Sequence, residues 1–123
     1  MTKRILVVED TEDNRRIIRD LLTAAGYALI EATDGAEGVA LAQKERPDLV
    51  LMDIQLPEMD GYEATRRIRA IPELAKVPIL AVTSYALSGD DAKARAAGCD
   101  DYVAKPFSPR QLLAKIRQYL PPT

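Results

Sequence analysis

The chain has 123 residues, with 17 Lys and Arg against 19 Asp and Glu, so its formal charge is −2. Its length suits one domain, residues 1–123, with a sizeable buried core, and 47% hydrophobic with 29% charged residues marks a globular chain. The mild acidity gives no grip on nucleic acid, no apolar run approaches the roughly 20 residues of a membrane span, and the absence of histidine removes Ser-His-Asp and Cys-His catalysis and His-ligated zinc.

Strand-like and helix-like patterns alternate five times. Arg4 to Val8 is the first strand, and it runs into Glu9-Asp10. A helix follows from near Asp13 to Ala25, with Ile17, Ile18, Leu21 and Leu22 on one face and Gly26 ending it. Tyr27 to Ala32 reads as a strand, and Gly35 to Glu45 as a helix stopped by Pro47. Leu49 to Asp53 is a wholly apolar run closed by an acid, the pattern of a buried parallel strand. Pro57-Glu58-Met59-Asp60-Gly61 is a turn, and Tyr62 to Ala70 resumes helical spacing. Pro78 to Thr83 is the fourth strand, and a helix lies within Leu87 to Ala97. Asp101 to Ala104 is a short fifth strand, after which Ser108 caps a helix placing Leu112, Leu113, Ile116 and Leu120 inward. Repeated strand-helix units imply a three-layer α/β domain, a parallel sheet covered on both faces by right-handed crossovers. Cys99 stands alone, which excludes an internal disulfide and suits a reducing cytosol, and Met1-Thr2-Lys3-Arg4 lacks a signal-peptide pattern. A cytoplasmic location is therefore expected, with no membrane partner.

Ligands of open α/β sheets sit beyond the carboxyl ends of the strands. Here those ends carry Glu9, Asp10, Asp53, Thr83 and Lys105. Acids before a helix also serve as plain caps for its free N–H groups, a sufficient reading for Glu9-Asp10 taken alone. Asp53 resists that reading, because Ile54-Gln55-Leu56-Pro57 supplies no neutralising base. Magnesium suits such a group, since it keeps several waters and needs only one or two carboxylates. Asp10 and Asp53 would bind it directly, Glu9 through water, and a backbone carbonyl near Gln55 would complete the set. Calcium fits less well, for no twelve-residue loop of alternating acids is present. Thr83 is at home in any strand, yet at this crevice its hydroxyl would donate to a phosphoryl oxygen, with the small Ser84 leaving room. Lys105 is either a phosphate partner or a structural ion pair with Asp53. It precedes Pro106, so the bond between them tolerates the cis form.

Together, Glu9-Asp10, Asp53 followed by Leu56-Pro57 and Asp60-Gly61, Thr83, and Tyr102 with Lys105-Pro106 resemble the response-regulator receiver domain, the CheY-like fold. The likeness covers nearly the whole chain in order. Leu51-Met52-Asp53-Ile54-Gln55-Leu56-Pro57 and Gly98-Cys99-Asp100-Asp101-Tyr102 are most similar to stand-alone regulators of the DivK type. The resemblance implies five parallel strands in the order 2-1-3-4-5. It implies that Asp53 accepts a phosphoryl group from a phosphohistidine on a histidine kinase or histidine phosphotransfer protein, with Mg2+ as cofactor and Thr83 and Lys105 on the phosphoryl oxygens. Thr83 and Tyr102 would then act as a switch pair, and Gln55 and Tyr85 would flank the attacking water and set the phosphate's lifetime. Tyr85 is bulky, so slow self-dephosphorylation is expected from a signalling domain that is not an enzyme. The Gly89–Ala97 segment holds only small apolar residues, so the fourth helix is expected to move, and with the fifth strand and helix to form the face that meets a downstream effector. The chain would be a monomer or a phosphorylation-dependent homodimer. No output domain is expected after Leu120-Pro121-Pro122-Thr123, although a receiver excised from a hybrid kinase would read the same.

Other classes fit less well. A haloacid-dehalogenase-type hydrolase needs a second Asp where Gln55 stands. A flavodoxin-like module needs a Gly-, Ser- and Thr-rich phosphate loop where Glu9-Asp10-Thr11-Glu12-Asp13 would repel phosphate. A docking pseudo-receiver that works without phosphate has no use for the full set of Glu9, Asp10, Asp53, Thr83 and Lys105.

Overall fold

Five strands pair in parallel in a computed structural model that describes residues 2–84 and 90–121. They are β1 (Arg4–Val8), β2 (Ala28–Ala32), β3 (Leu49–Asp53), β4 (Ile79–Thr83) and β5 (Asp101–Ala104), in the order β2-β1-β3-β4-β5. The helices are α1 (Glu12–Ala24), α2 (Gly35–Glu45), α3 (Gly61–Arg69), α4 (Asp90–Ala97) and α5 (Pro109–Tyr119). Fold class and strand order thus agree with expectation.

Alternation along each strand sends successive side chains to opposite faces and builds two cores. Leu6, Val8, Val50, Met52, Ile79 and Ala81 face α2, α3 and α4, where Ala42, Ala64, Ile68 and Ala94 close over them. Ile5, Val7, Leu49, Leu51, Leu80 and Val103 face Ile18 and Leu22 of α1 and Leu112 and Ile116 of α5. Every residue of β3 and β4 is buried, which is why those runs read as continuous apolar segments.

The element edges differ from the sequence reading in specific ways. Tyr27 is not in β2: its N–H still bonds Leu22 O at 3.0 Å in the turn made by Gly26 at φ 95, and its hydroxyl donates to Leu120 O at 2.9 Å. Pro78 lies outside β4, having no N–H to give a ladder, although its carbonyl accepts from Val50 N–H at 2.9 Å. A 3-10 turn at Pro72–Leu74 had no signal beyond its proline. On α1, Ile18 and Leu22 are buried and Leu21 half-buried, but Ile17 is 47% exposed, because the buried stripe is too narrow to include it. Leu113 is only half-buried, at the margin of the core that Leu112 and Ile116 enter. The fourth helix begins at Asp90 among the described residues; Leu87 and Gly89 lie outside them.

Candidate functional site

Register brings the acid-bearing ends together. Val8 pairs with Met52, so the chain leaves β1 at Glu9 level with Asp53 of β3. Asp53 pairs with Val82, and Thr83 with Ala104, so Lys105 follows just beyond Thr83 and its N–H bonds Thr83 O at 2.7 Å. Parity then separates two roles. Asp53 continues the Leu49–Leu51 side, toward α1 and α5, whereas Thr83 continues the Ile79–Ala81 side, toward α3 and α4. Tyr102 is half-buried and packs on that second side.

Asp53 is 2% exposed. Its Oδ2 accepts from Lys105 Nζ at 3.2 Å and its Oδ1 from the Gln55 N–H at 3.0 Å. Glu9 is equally buried, and its oxygens accept from Lys105 Nζ at 3.2 Å, the Thr11 N–H at 3.0 Å and Asn14 Nδ2 at 3.4 Å. Asp10 is exposed at the mouth. The ion-pair reading of Lys105 therefore holds, with Glu9 as a second partner. The Lys105–Pro106 bond is cis.

The charges do not balance. One oxygen from each of Glu9, Asp10 and Asp53 lies within 4.8 Å of the others, and among the described residues the ammonium of Lys105 pairs with Glu9 and Asp53. Partial desolvation at the crevice mouth, then the hydrogen bond and charge of Glu9, push the Asp10 carboxyl above its ordinary value. Burial alone would lower the Lys105 pKa, but the Asp53 and Glu9 carboxylates outweigh it and the ammonium is held above its usual range. A hard divalent cation with oxygen preference is what this donor set fits.

Gln55 joins two strands. Besides its backbone bond to Asp53, its Nε2 donates to Thr83 Oγ1 at 2.9 Å and its Oε1 accepts from the Ser84 N–H at 3.1 Å. Tyr85 falls outside the described residues. Sequence reasoning missed Arg15, whose Nη1 donates to Glu9 O at 2.7 Å, and Asn14. Their signal was their place one turn into α1, directly after the acid pair. It also missed why Gly61 is glycine: a Cβ there would meet Asp53 O at 2.3 Å.

Residues 5–117 match the family described as response regulator receiver domain. The polar-differentiation response regulator DivK of Brucella abortus and that of Brucella suis are each 43% identical to this chain over 120 residues, 98% of both sequences. Among solved structures, chemotaxis protein CheY4 of Vibrio cholerae superposes with a TM-score of 0.93 at 31% identity, covering 98% of this chain and 100% of its own. The receiver domain of a sensor histidine kinase from Pseudomonas aeruginosa PAO1, with a magnesium ion coordinated in its active site cleft, gives 0.90 at 40% identity over 97% and 98%. Strand order, acid cluster and matched family agree: the chain belongs to the response regulator receiver domains of two-component signal transduction, and is DivK-like.

Proposed function

We propose that Asp53 is the phosphoacceptor, taking a phosphoryl group from a phosphohistidine on a histidine kinase or histidine phosphotransfer protein in the cytoplasm. The carrying observation is a buried carboxylate beside Glu9 and Asp10 that is met by one ammonium and one backbone N–H. An O–P bond to Asp53 forms as the P–N bond of the donor breaks, and the imidazole nitrogen leaves with its electron pair. Asp10, Asp53 and the Gln55 backbone carbonyl would hold Mg2+, with Glu9 one water removed because its oxygens already serve Lys105, Thr11 and Asn14. Bound there, the ion would neutralise charge on the transferring group. Lys105 and Thr83 meet the phosphoryl oxygens, and Gln55 and Tyr85 limit access of the water that later attacks phosphorus, freeing the Asp53 carboxylate and inorganic phosphate.

The donor's approach is supported by a groove of about 610 Å³ beside the site, lined by Asn14, Ile17, Ser84, Lys105 and Phe107 among others. Ile17 is the one large apolar side chain exposed among the described residues, and it sits on that groove. Drawing Thr83 toward Asp53 would open space beside Tyr102, which shares its face of the sheet. The face of α4, β5 and α5 would thereby change for an effector protein or a further relay step, by as much as the phosphate's differential contacts allow. The 40% identity to a receiver from a sensor kinase supports a second reading, in which this domain works within a hybrid kinase.

Incubation with acetyl phosphate and Mg2+, followed by intact mass, tests the chemistry. A phosphate adduct is expected on the wild type, with none on Asp53→Asn or after EDTA. An adduct that persists in Asp53→Asn would overturn the assignment.

A further inference from the structure

Gln55 is placed to do more than flank a water. Its backbone N–H holds Asp53 Oδ1, while its carboxamide crosses to the end of β4 and takes both the Thr83 hydroxyl and the Ser84 N–H. The amide's orientation is fixed by the Ser84 donor, because a flipped group would set NH2 against N–H. Oε1 therefore occupies the acceptor position at the Ser84 N–H, and Nε2 holds the hydroxyl assigned above to a phosphoryl oxygen. Since Gln55 follows Asp53 by two residues, a tetrahedral anion on Asp53 contends with Oε1 for the Ser84 N–H, and to take the Thr83 O–H it must draw that side chain away from Nε2, which donates to its oxygen.

We propose that the Gln55 carboxamide is a resting-state placeholder for the phosphoryl group, holding Thr83 and the Ser84 N–H and releasing them when Asp53 is phosphorylated. The proposal rests on Asp53 as phosphoacceptor. Gln55 is then a positioning residue that acts through Thr83 and Ser84. The exchange is favourable because bonds to a charged oxygen replace neutral ones and are roughly twice as strong. The two bonds given up still subtract from the anion's affinity. Thr83 also cannot travel toward Asp53 until Nε2 lets go, so release gates the switch.

The test titrates the full chain with beryllofluoride, a tetrahedral acyl-phosphate mimic, at saturating Mg2+, and follows backbone and side-chain amide NMR signals. In the wild type, the Gln55 NH2 pair should move to solvent-like positions as the complex forms. Gln55→Met keeps the length but lacks the amide. It should bind beryllofluoride roughly five- to tenfold more tightly, the gain from two bonds no longer broken, and its free-state Ser84 amide proton should shift upfield of wild type. Gln55→Glu keeps the acceptor but adds repulsive charge and should bind more weakly than wild type. Binding by Gln55→Met no tighter than wild type, or Gln55 NH2 signals that stay in place at saturation, would overturn the placeholder while leaving Asp53 in its role. Should Gln55→Met not fold, the wild-type NH2 signals decide. A wild type that takes no beryllofluoride with Mg2+, or an Asp53→Asn variant that takes as much, would sink the phosphoacceptor reading and this proposal with it.

Discussion

At Gly61 there is no room for a methyl group. An added Cβ would stand 2.3 Å from Asp53 O and 2.7 Å from Ile54 Cα, both backbone atoms that no rotamer change can move aside. The same residue donates its N–H to Ile54 O at 3.1 Å, so the first turn of α3 is stitched to the exit of β3. Gly61→Ala is expected to lose about 1–3 kcal/mol of stability, the usual range for overpacking. It should also slow phosphorylation of Asp53, because the β3 exit that aims the carboxylate must shift. Urea unfolding and acetyl phosphate kinetics measure the two effects, and an unchanged unfolding midpoint would contradict the crowding. The residues legible in advance were those whose chemistry clashed with their strand: Glu9 and Asp53 ended apolar runs without local bases. Gly61 read only as a turn, since the backbone it touches belongs to the end of another element. The Gln55 carboxamide was equally hidden, because its partner Thr83 lies 28 residues away and on another strand.

At the scale of elements, β5 and α5 are tied by one buried acid. Asp101 is 8% exposed, and its Oδ2 accepts from Lys115 Nζ at 2.8 Å and Tyr119 OH at 3.1 Å. Its Oδ1 accepts from the N–H of Tyr102, the switch candidate, at 2.8 Å. Burial raises the Asp101 pKa, but Lys115, the Tyr102 N–H and Tyr119 together outweigh it, and the net shift is downward from 3.8. The folded state therefore binds fewer protons there than the unfolded chain. The contribution is full above about pH 4 and is lost as pH falls through the folded value. Asp101→Asn should cost roughly 1–2 kcal/mol at pH 7, the low end because Lys115 is 38% exposed. The gap between wild type and variant in urea unfolding should stay constant down to about pH 4 and then close. A gap that widens in acid would show the assigned sign to be wrong. In sequence, β5 read only as a short strand, because the partners of Asp101 lie on a helix 14 and 18 residues downstream. The unbroken apolar runs of β1, β3 and β4 needed no such context, so their bounds were read to within a residue. Asp34 and Asp60 were not recognised as caps, although each accepts from an N–H three residues on, Glu37 and Glu63.

Across the whole molecule, a net charge of −2 conceals a local excess. Three carboxylates converge at one end of the sheet, and Lys105 answers only part of their charge. Topology makes this so: with β1 and β3 adjacent and parallel, any acids ending both strands must share an edge. Folding therefore gathers repulsion that the unfolded chain does not have, and a cation binding only the folded form should recover it. At a hundredfold excess over its dissociation constant, such a ligand contributes about 2.7 kcal/mol. For a domain of this size that corresponds to a rise in Tm on the order of 10 °C. Mg2+ should thus raise the thermal midpoint well beyond NaCl of equal ionic strength. Asp10→Asn should start from a higher midpoint without Mg2+, because one repelling charge is gone, and should gain less when Mg2+ is added. Calorimetry on the two proteins distinguishes this from general screening, which would raise both alike. If Mg2+ and matched NaCl shift the wild type equally, the acid cluster is a surface of repulsion held by Lys105 and not a metal site. The magnesium in the Pseudomonas receiver would then have no counterpart here.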